Sequence, residues 1–190
     1  ASPVCTELEV VMLDWLGQMV GLPDSFLARS GGQGGGVIQG TASEATLVAL
    51  LGAKSKAIYY AKQKQPDLNN YDILPKLVGY HNAQAHSSVE RAGLLGGVTM
   101  RSLKPDAKYS LRGETLREAI EEDLKKGLIP FYVVVTLGTT SLCSFDNLEE
   151  LAAVCREYDI WCHVDAAYAG AAFICPEYQY LMKGVENADS

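Results

Sequence analysis

Trp161-Cys-His-Val-Asp-Ala-Ala-Tyr-Ala-Gly-Ala-Ala-Phe173 reads as a short buried strand that ends in a carboxylate and runs on into small residues. An ionised Asp165 at the end of an apolar strand is costly unless something neutralises it. No Arg or Lys lies between Arg156 and Lys183, so the partner is either distant in sequence or a ligand. A protonated heteroaromatic nitrogen on a ligand would serve.

Upstream of this strand, Asn147 to Tyr158 has the spacing of a helix, and before it Ile129-Pro-Phe-Tyr-Val-Val-Val135 is nearly all apolar. Such a run suits a strand buried on both faces of a parallel sheet. At its end stands Thr136-Leu-Gly-Thr-Thr140, rich in hydroxyls and with a glycine that permits close backbone approach. Further back, Gly113 to Lys126 reads as an amphipathic helix with acids early, bases late and Gly127 as its stop. Val98 to Leu103 and Leu77 to Tyr80 read as strands. Between them Ala83 to Leu95 is a loop opening a short helix, stopped by Gly96-Gly97, with His86 at the turn. A polar connection from Gln65 to Leu74 separates this unit from a long helix running to about Lys64. Strand and helix alternating at this spacing predict right-handed crossovers and a mostly parallel sheet with helices on both faces.

The amino-terminal third adds two features. Ser2-Pro3 offers a cap and a first helical proline, and Leu8, Val11, Met12, Trp15, Leu16 and Met19 recur at helical spacing until Gly21 and Pro23. We read this as a packing helix. The glycines at 31–36 precede a short strand expected at Val37-Ile38-Gln39, which is the wrong order for a dinucleotide fingerprint. Thr41, Ala42 and Ser43 instead open the long helix, where free N–H groups and the dipole suit a phosphate. The plainer alternative is that Ser43 only caps that helix.

Composition narrows the function classes. A net charge of −7 without a basic stripe argues against nucleic-acid binding, and the apolar runs are too short for a membrane span. Five cysteines without a C-x-x-C pair fit small buried hydrophobes better than disulfides or zinc. His163 and Asp165 could form a metal pair on one strand face, but no third ligand is near in sequence, and no metal is expected. We expect a cytoplasmic protein.

Four strand ends or helix starts thus gather polar or small residues, and together their motifs resemble a known family. His163-Val-Asp-Ala-Ala-Tyr-Ala-Gly170, Gly34-Gly-Gly-Val-Ile-Gln-Gly-Thr-Ala-Ser-Glu-Ala-Thr46, Gln84-Ala-His-Ser-Ser-Val-Glu-Arg91 and Thr136-Leu-Gly-Thr-Thr140 resemble the group II pyridoxal 5'-phosphate (PLP) dependent decarboxylases. The likeness is greatest to their aromatic-amino-acid branch, and Phe173-Ile-Cys-Pro-Glu-Tyr178 is similar too. The resemblance implies an α/β, aspartate-aminotransferase-like (PLP fold type I) large domain and a homodimer with its active site near the subunit interface. It implies conversion of an aromatic L-amino acid of the L-DOPA or 5-hydroxytryptophan type to its amine and CO₂. Carried over residue by residue, it makes Ala42 and Ser43 the phosphate corner and His86 the residue that stacks on the pyridine ring and contacts substrate. Thr140 becomes a cofactor-contacting hydroxyl, Asp165 the carboxylate on the pyridine nitrogen, and Ala167 the small residue against the ring face. His86 and Asp165 are the catalytic pair.

A histidine-decarboxylating sister and an aldehyde-forming oxidative deaminase branch are the nearest alternatives. The deaminating branch typically replaces the active-site histidine, so His86 favours plain decarboxylation. A non-enzymatic binding module stays open beside them. The family's Schiff-base lysine lies in an Asn-Pro-His-Lys motif with no counterpart here, and Lys183 sits instead in Leu-Met-Lys-Gly. We therefore read residues 1–190 as part of the PLP-binding domain, without the N-terminal segment, the lysine region and the C-terminal domain. The 190-residue chain by itself is expected to be inactive, and release of amine by the purified chain with PLP would overturn that expectation.

Overall fold

The computed structural model describes residues 2–190. Strands β1 (Leu77–Asn82), β2 (Thr99–Leu103), β3 (Ile129–Thr136) and β4 (Trp161–Asp165) form one parallel sheet in the order β2-β1-β3-β4. Six helices accompany them: α1 (Pro3–Met19), α2 (Ala42–Lys64), the single turn α3 (Asn70–Ile73), α4 (Ser88–Gly96), α5 (Gly113–Lys125) and α6 (Leu148–Tyr158). The expected alternation and parallel pairing are both present. β3 is buried for most of its length, which accounts for its nearly continuous apolar sequence, and β1 is buried throughout, including His81 and Asn82 at its end.

Helices cover both faces of the sheet. On one, Tyr80, Val133, Val135 and Cys162 pack with Leu116 and Ile120 of α5 and Leu151 and Cys155 of α6. On the other, Leu77, Tyr132 and Val134 pack with Leu50 and Ala53 of α2 and Val89 and Ala92 of α4. Local chemistry sets the helix ends. Gly97 takes φ 65° after α4, and Gly127 takes φ 75° after α5, a region where a side chain is strained. Asn147 caps α6 by accepting from the Glu150 N–H.

Several expectations need correction. Among the described residues Val37-Ile38-Gln39 pairs with no strand; Val37 and Ile38 are exposed, and the Ile38 N–H donates to Glu9 Oε1 at 2.7 Å. The polar connection before β1 contains α3, held by a reciprocal Asn69 and Asp72 capping box that its polar composition hid. Ser2 makes no side-chain cap on α1. The periodic stripe of α1 is not packed: Leu8 and Trp15 are 55% and 57% exposed, and the buried positions are Asp14 and Gly17. Asp14 accepts the Ala28 and Arg29 N–H groups at 2.7 and 2.9 Å, so this helix is tied down through its polar side. Only Cys155 and Cys162 are buried; Cys5, Cys143 and Cys175 are exposed thiols.

Among the described residues no helix is long and apolar enough to cross a membrane. Beyond β4 the chain passes through 3₁₀ turns and returns to the sheet edge, where the Asp189 N–H donates to Cys162 O and the Val164 N–H to Ser190 O, both at 2.8 Å.

Candidate active site

In this strand order the chain leaves β1 toward β2 and returns to place β3 on the other side of β1. The gap at the carboxyl ends of β1 and β3 is thus a topological switch point, where open α/β sheets bind ligands. A cleft of about 280 Å³ opens beside it. Ala42, Ser43, His86, Thr140, Asp165 and Ala167, the six residues singled out in the sequence, all line it. A larger hollow of about 400 Å³, walled by Lys56, Tyr60 and Trp161 among others, lies toward the amino-terminal ends of β3 and β4 and contains none of them.

Each wall has a local cause. Thr41, not Ser43, caps α2: its hydroxyl accepts the Glu44 N–H at 3.1 Å and its carbonyl the Ala45 N–H at 3.1 Å. Ala42 and Ser43 therefore occupy the first helical positions, and their N–H groups have no acceptor among the described residues. His86 is carried by the turn from β1 into α4. Its Nδ1 lies 2.9 Å from Ser88 Oγ and 3.2 Å from the Ser88 nitrogen. Of the two threonines after β3, Thr139 turns inward to Ser144 Oγ at 2.8 Å, and this leaves Thr140 to line the cleft. Gly138, at φ 89°, permits the close approach expected of it: a Cβ there would lie 2.6 Å from that of Ala169.

Asp165 differs from its sequence reading. It is half-buried rather than buried, and no side-chain cation pairs with it among the described residues. One carboxylate oxygen accepts the Ala167 N–H at 3.1 Å, which fixes the group at the cleft wall. Lys183 stands elsewhere, 3.0 Å from Glu149 at the surface. No cluster of three or more His, Cys, Asp or Glu able to hold a metal occurs among the described residues.

Sequence reasoning missed four residues of the lining, Ser88, Thr136, Gly138 and Tyr168, as site residues. Thr136 matters most, because its hydroxyl is buried without a hydrogen-bond partner among the described residues. The hydroxyl-rich run Thr136 to Thr140 was visible at the strand end, but only Thr140 was given a role. Asp146 was missed as well. Its carboxylate accepts from Asn82 Nδ2 at 2.6 Å, the Leu111 N–H at 2.9 Å and the Thr136 N–H at 2.8 Å. It thereby ties the end of β1, which leads to His86, to the end of β3. Burial pushes its carboxyl above the usual range, while these three hydrogen bonds pull it back.

His163 sits on β4 two residues before Asp165, stacked on the Tyr132 ring at 6.0 Å between centroids. Trp161 Nε1 donates to Ser190 Oγ at 2.8 Å, and that hydroxyl lies 2.9 Å from His163 Nδ1. Burial lowers the imidazole pKa to about 4, with the Asp165 charge acting against it. An unfolded histidine takes up a proton near its ordinary 6.5 while the folded one stays neutral to about 4. Stability from this group is therefore complete above the unfolded value and lost as pH falls through that window, by about 3 kcal/mol in all. His163→Gln should flatten the pH dependence of the urea midpoint between pH 6.5 and 4. An unchanged slope would contradict it.

The cleft thus offers paired N–H donors at a helix start, an unpartnered hydroxyl, a carboxylate and a small-residue wall. Such a set suits an anionic group at one end and a cationic, planar group at the other. Comparison with known proteins agrees with that chemistry. The chain matches the pyridoxal-dependent decarboxylase conserved domain over residues 1–190. It is 74% identical to an aromatic-L-amino-acid decarboxylase of Manduca sexta, over 100% of this chain and 37% of that protein. Among solved structures it is similar to Oryza sativa TDC with PLP and tryptamine, with a TM-score of 0.91 and 41% identity, covering 99% of this chain and 38% of that one. It is also similar to Rhodiola rosea 4-hydroxyphenylacetaldehyde synthase, with a TM-score of 0.90 and 40% identity over 99% of this chain and 39% of the other. The chain therefore spans well under half the length of these relatives.

Proposed function

The chain belongs to the pyridoxal-dependent decarboxylase family, and from that membership we propose that it forms part of the cofactor-binding domain of an enzyme that decarboxylates aromatic L-amino acids. The observation that carries the proposal is that all six family positions line one cleft at the switch point. The residues present fit PLP, since the free N–H groups, the orphaned Thr136 hydroxyl and the cation-seeking Asp165 are the complements of a phosphate, a polar ring substituent and a protonated ring nitrogen.

When bound, the cofactor supplies a sink for the electron pair that remains as CO₂ departs. The chain's own residues would create the conditions for that step. Ala42 and Ser43 would hold the phosphate with main-chain N–H groups at the positive end of α2. The Asp165 carboxylate would keep a proton on the ring nitrogen, where its negative charge is most useful in a site sheltered from water. Ala167 presents only a methyl group and would let a planar ring lie against β4. His86 would cover the opposite ring face and meet the substrate, and Thr140 would add a hydroxyl contact.

The test is turnover by the full-length protein. With PLP, L-DOPA or 5-hydroxytryptophan should give CO₂ and amine in equal amounts, and histidine should give neither. Turnover of histidine alone would reassign the substrate, and aldehyde with peroxide would reassign the reaction. Absence of any cofactor absorbance would remove the reading altogether.

A homodimer, a cytoplasmic location and a place in catecholamine synthesis belong to the same proposal. The exposed apolar stripe of α1 is a surface that a second copy could cover. Sedimentation of the full-length protein as a monomer would count against dimerisation.

A further inference from the structure

The turn that carries His86 holds more information than the residue's position. The Ser88 main-chain nitrogen lies 3.2 Å from His86 Nδ1 in donor geometry. A main-chain N–H can only donate, so Nδ1 must accept and cannot itself bear a proton. The Ser88 hydroxyl, 2.9 Å from the same nitrogen, must then donate as well. Both groups come from one residue that is 4% exposed and stands at the first position of α4, so neither is free to rotate away with a surface loop. The ring proton is left on Nε2.

We infer that Ser88 is a positioning residue that fixes the His86 imidazole as its neutral, Nε2–H tautomer, so that the ring offers the cleft a hydrogen-bond donor and no positive charge. The inference rests on the proposed function for its chemical purpose and deepens it. A substrate that is an amino acid brings a carboxylate, for which an N–H donor is the complement. A neutral ring also matters for stacking. Asp165 would keep the cofactor ring protonated, and an imidazolium laid over that ring would set two like charges face to face. With Nδ1 occupied by an obligate donor, the imidazolium could form only by breaking the Ser88 contact.

The tautomer can be read directly. In full-length protein labelled with ¹⁵N at histidine, the His86 resonances are assigned by their loss in His86→Gln. The expected result is one ring nitrogen of the unprotonated type, assigned to Nδ1, and one protonated Nε2, both without cofactor and with PLP bound. A single Nδ1–H tautomer or a doubly protonated ring at neutral pH would overturn the inference. Ser88→Ala, which keeps the N–H and loses the hydroxyl, should leave the proton on Nε2 but shift the Nδ1 resonance by the loss of one hydrogen bond, and lower kcat on the order of tenfold, the worth of one orienting hydrogen bond. Ser88→Thr should restore both. If Ser88→Ala leaves the Nδ1 resonance and kcat untouched, the hydroxyl has no positioning role. The resonances are observed without cofactor or turnover, so an enzyme that fails to decarboxylate would refute the proposed function while leaving the tautomer result to stand or fall by itself.

Discussion

If the full-length protein decarboxylates as proposed, Asp165→Asn is expected to reduce that rate by about a thousandfold or more, in line with the loss of other preorganised charges in sheltered sites. Asparagine preserves the shape of the side chain and can still accept the Ala167 N–H that orients it. It removes only the negative charge. Without that charge a ring nitrogen in the cleft has no reason to stay protonated, since the described residues provide no other carboxylate in the lining. The fall should appear in kcat, because an interaction that strengthens as electron density enters the ring acts on the transition state rather than on binding alone. Stability should change little, as Asp165 is half-buried and pairs with no cation among the described residues. Steady-state kinetics with parallel thermal melts would separate the two effects. A variant within tenfold of the parent rate would mean that Asp165 does not face the ring nitrogen.

Asp146→Ala is expected to be the most damaging substitution for the architecture of the site. Removing the carboxylate strands three donors, Asn82 Nδ2 and the N–H groups of Leu111 and Thr136, in a place where Asp146 is 3% exposed. Each buried donor left unsatisfied costs about 1–3 kcal/mol. Some recovery by entering water would bring the net loss to about 4 kcal/mol, at the severe end for one substitution. The consequence should extend to function. Asn82 also accepts the Gln84 N–H at 2.9 Å, so slackening it loosens the turn that presents His86. Denaturant titration should show the stability loss, and faster amide exchange should appear at residues 82–88 and 136–140. Asp146→Asn should cost about 2 kcal/mol, because one of its amide faces would confront a donor. Parent-like stability in Asp146→Asn would show that the carboxylate charge is not needed there.

Asp146 also marks the limit of what could be read in advance. In the sequence it is one acid in a loop before a helix, and nothing local separates it from a surface aspartate. Its importance arises from Asn82, Leu111 and Thr136, residues far apart in the chain that meet only when β1 and β3 lie side by side. The Thr136 hydroxyl has the same character, since burial without a partner exists only inside the assembled sheet. Asp165 was recognised by type and position, but the prediction that it lay fully buried was too strong, because the chain after β4 turns away and leaves the strand end open to the cleft.

The elements themselves were legible because their causes are local. The apolar run of β3, the charge order of α5 and the glycines that end α4 and α5 act over a few residues, and each was found within a residue or two of its expected place. The residues that line the cleft were singled out through motif resemblance, since a helix start or a carboxylate at a strand end is a short contiguous pattern. Tertiary structure alone decided the strand order β2-β1-β3-β4, and with it which strand ends share one cleft. It also left Val37 to Gln39 without a partner strand and the stripe of α1 uncovered, despite apolar sequences suited to burial. The physical reason is the same in each case. Backbone preference and capping are properties of neighbours along the chain, whereas pairing, burial and the satisfaction of a buried polar atom depend on what the rest of the fold brings into contact.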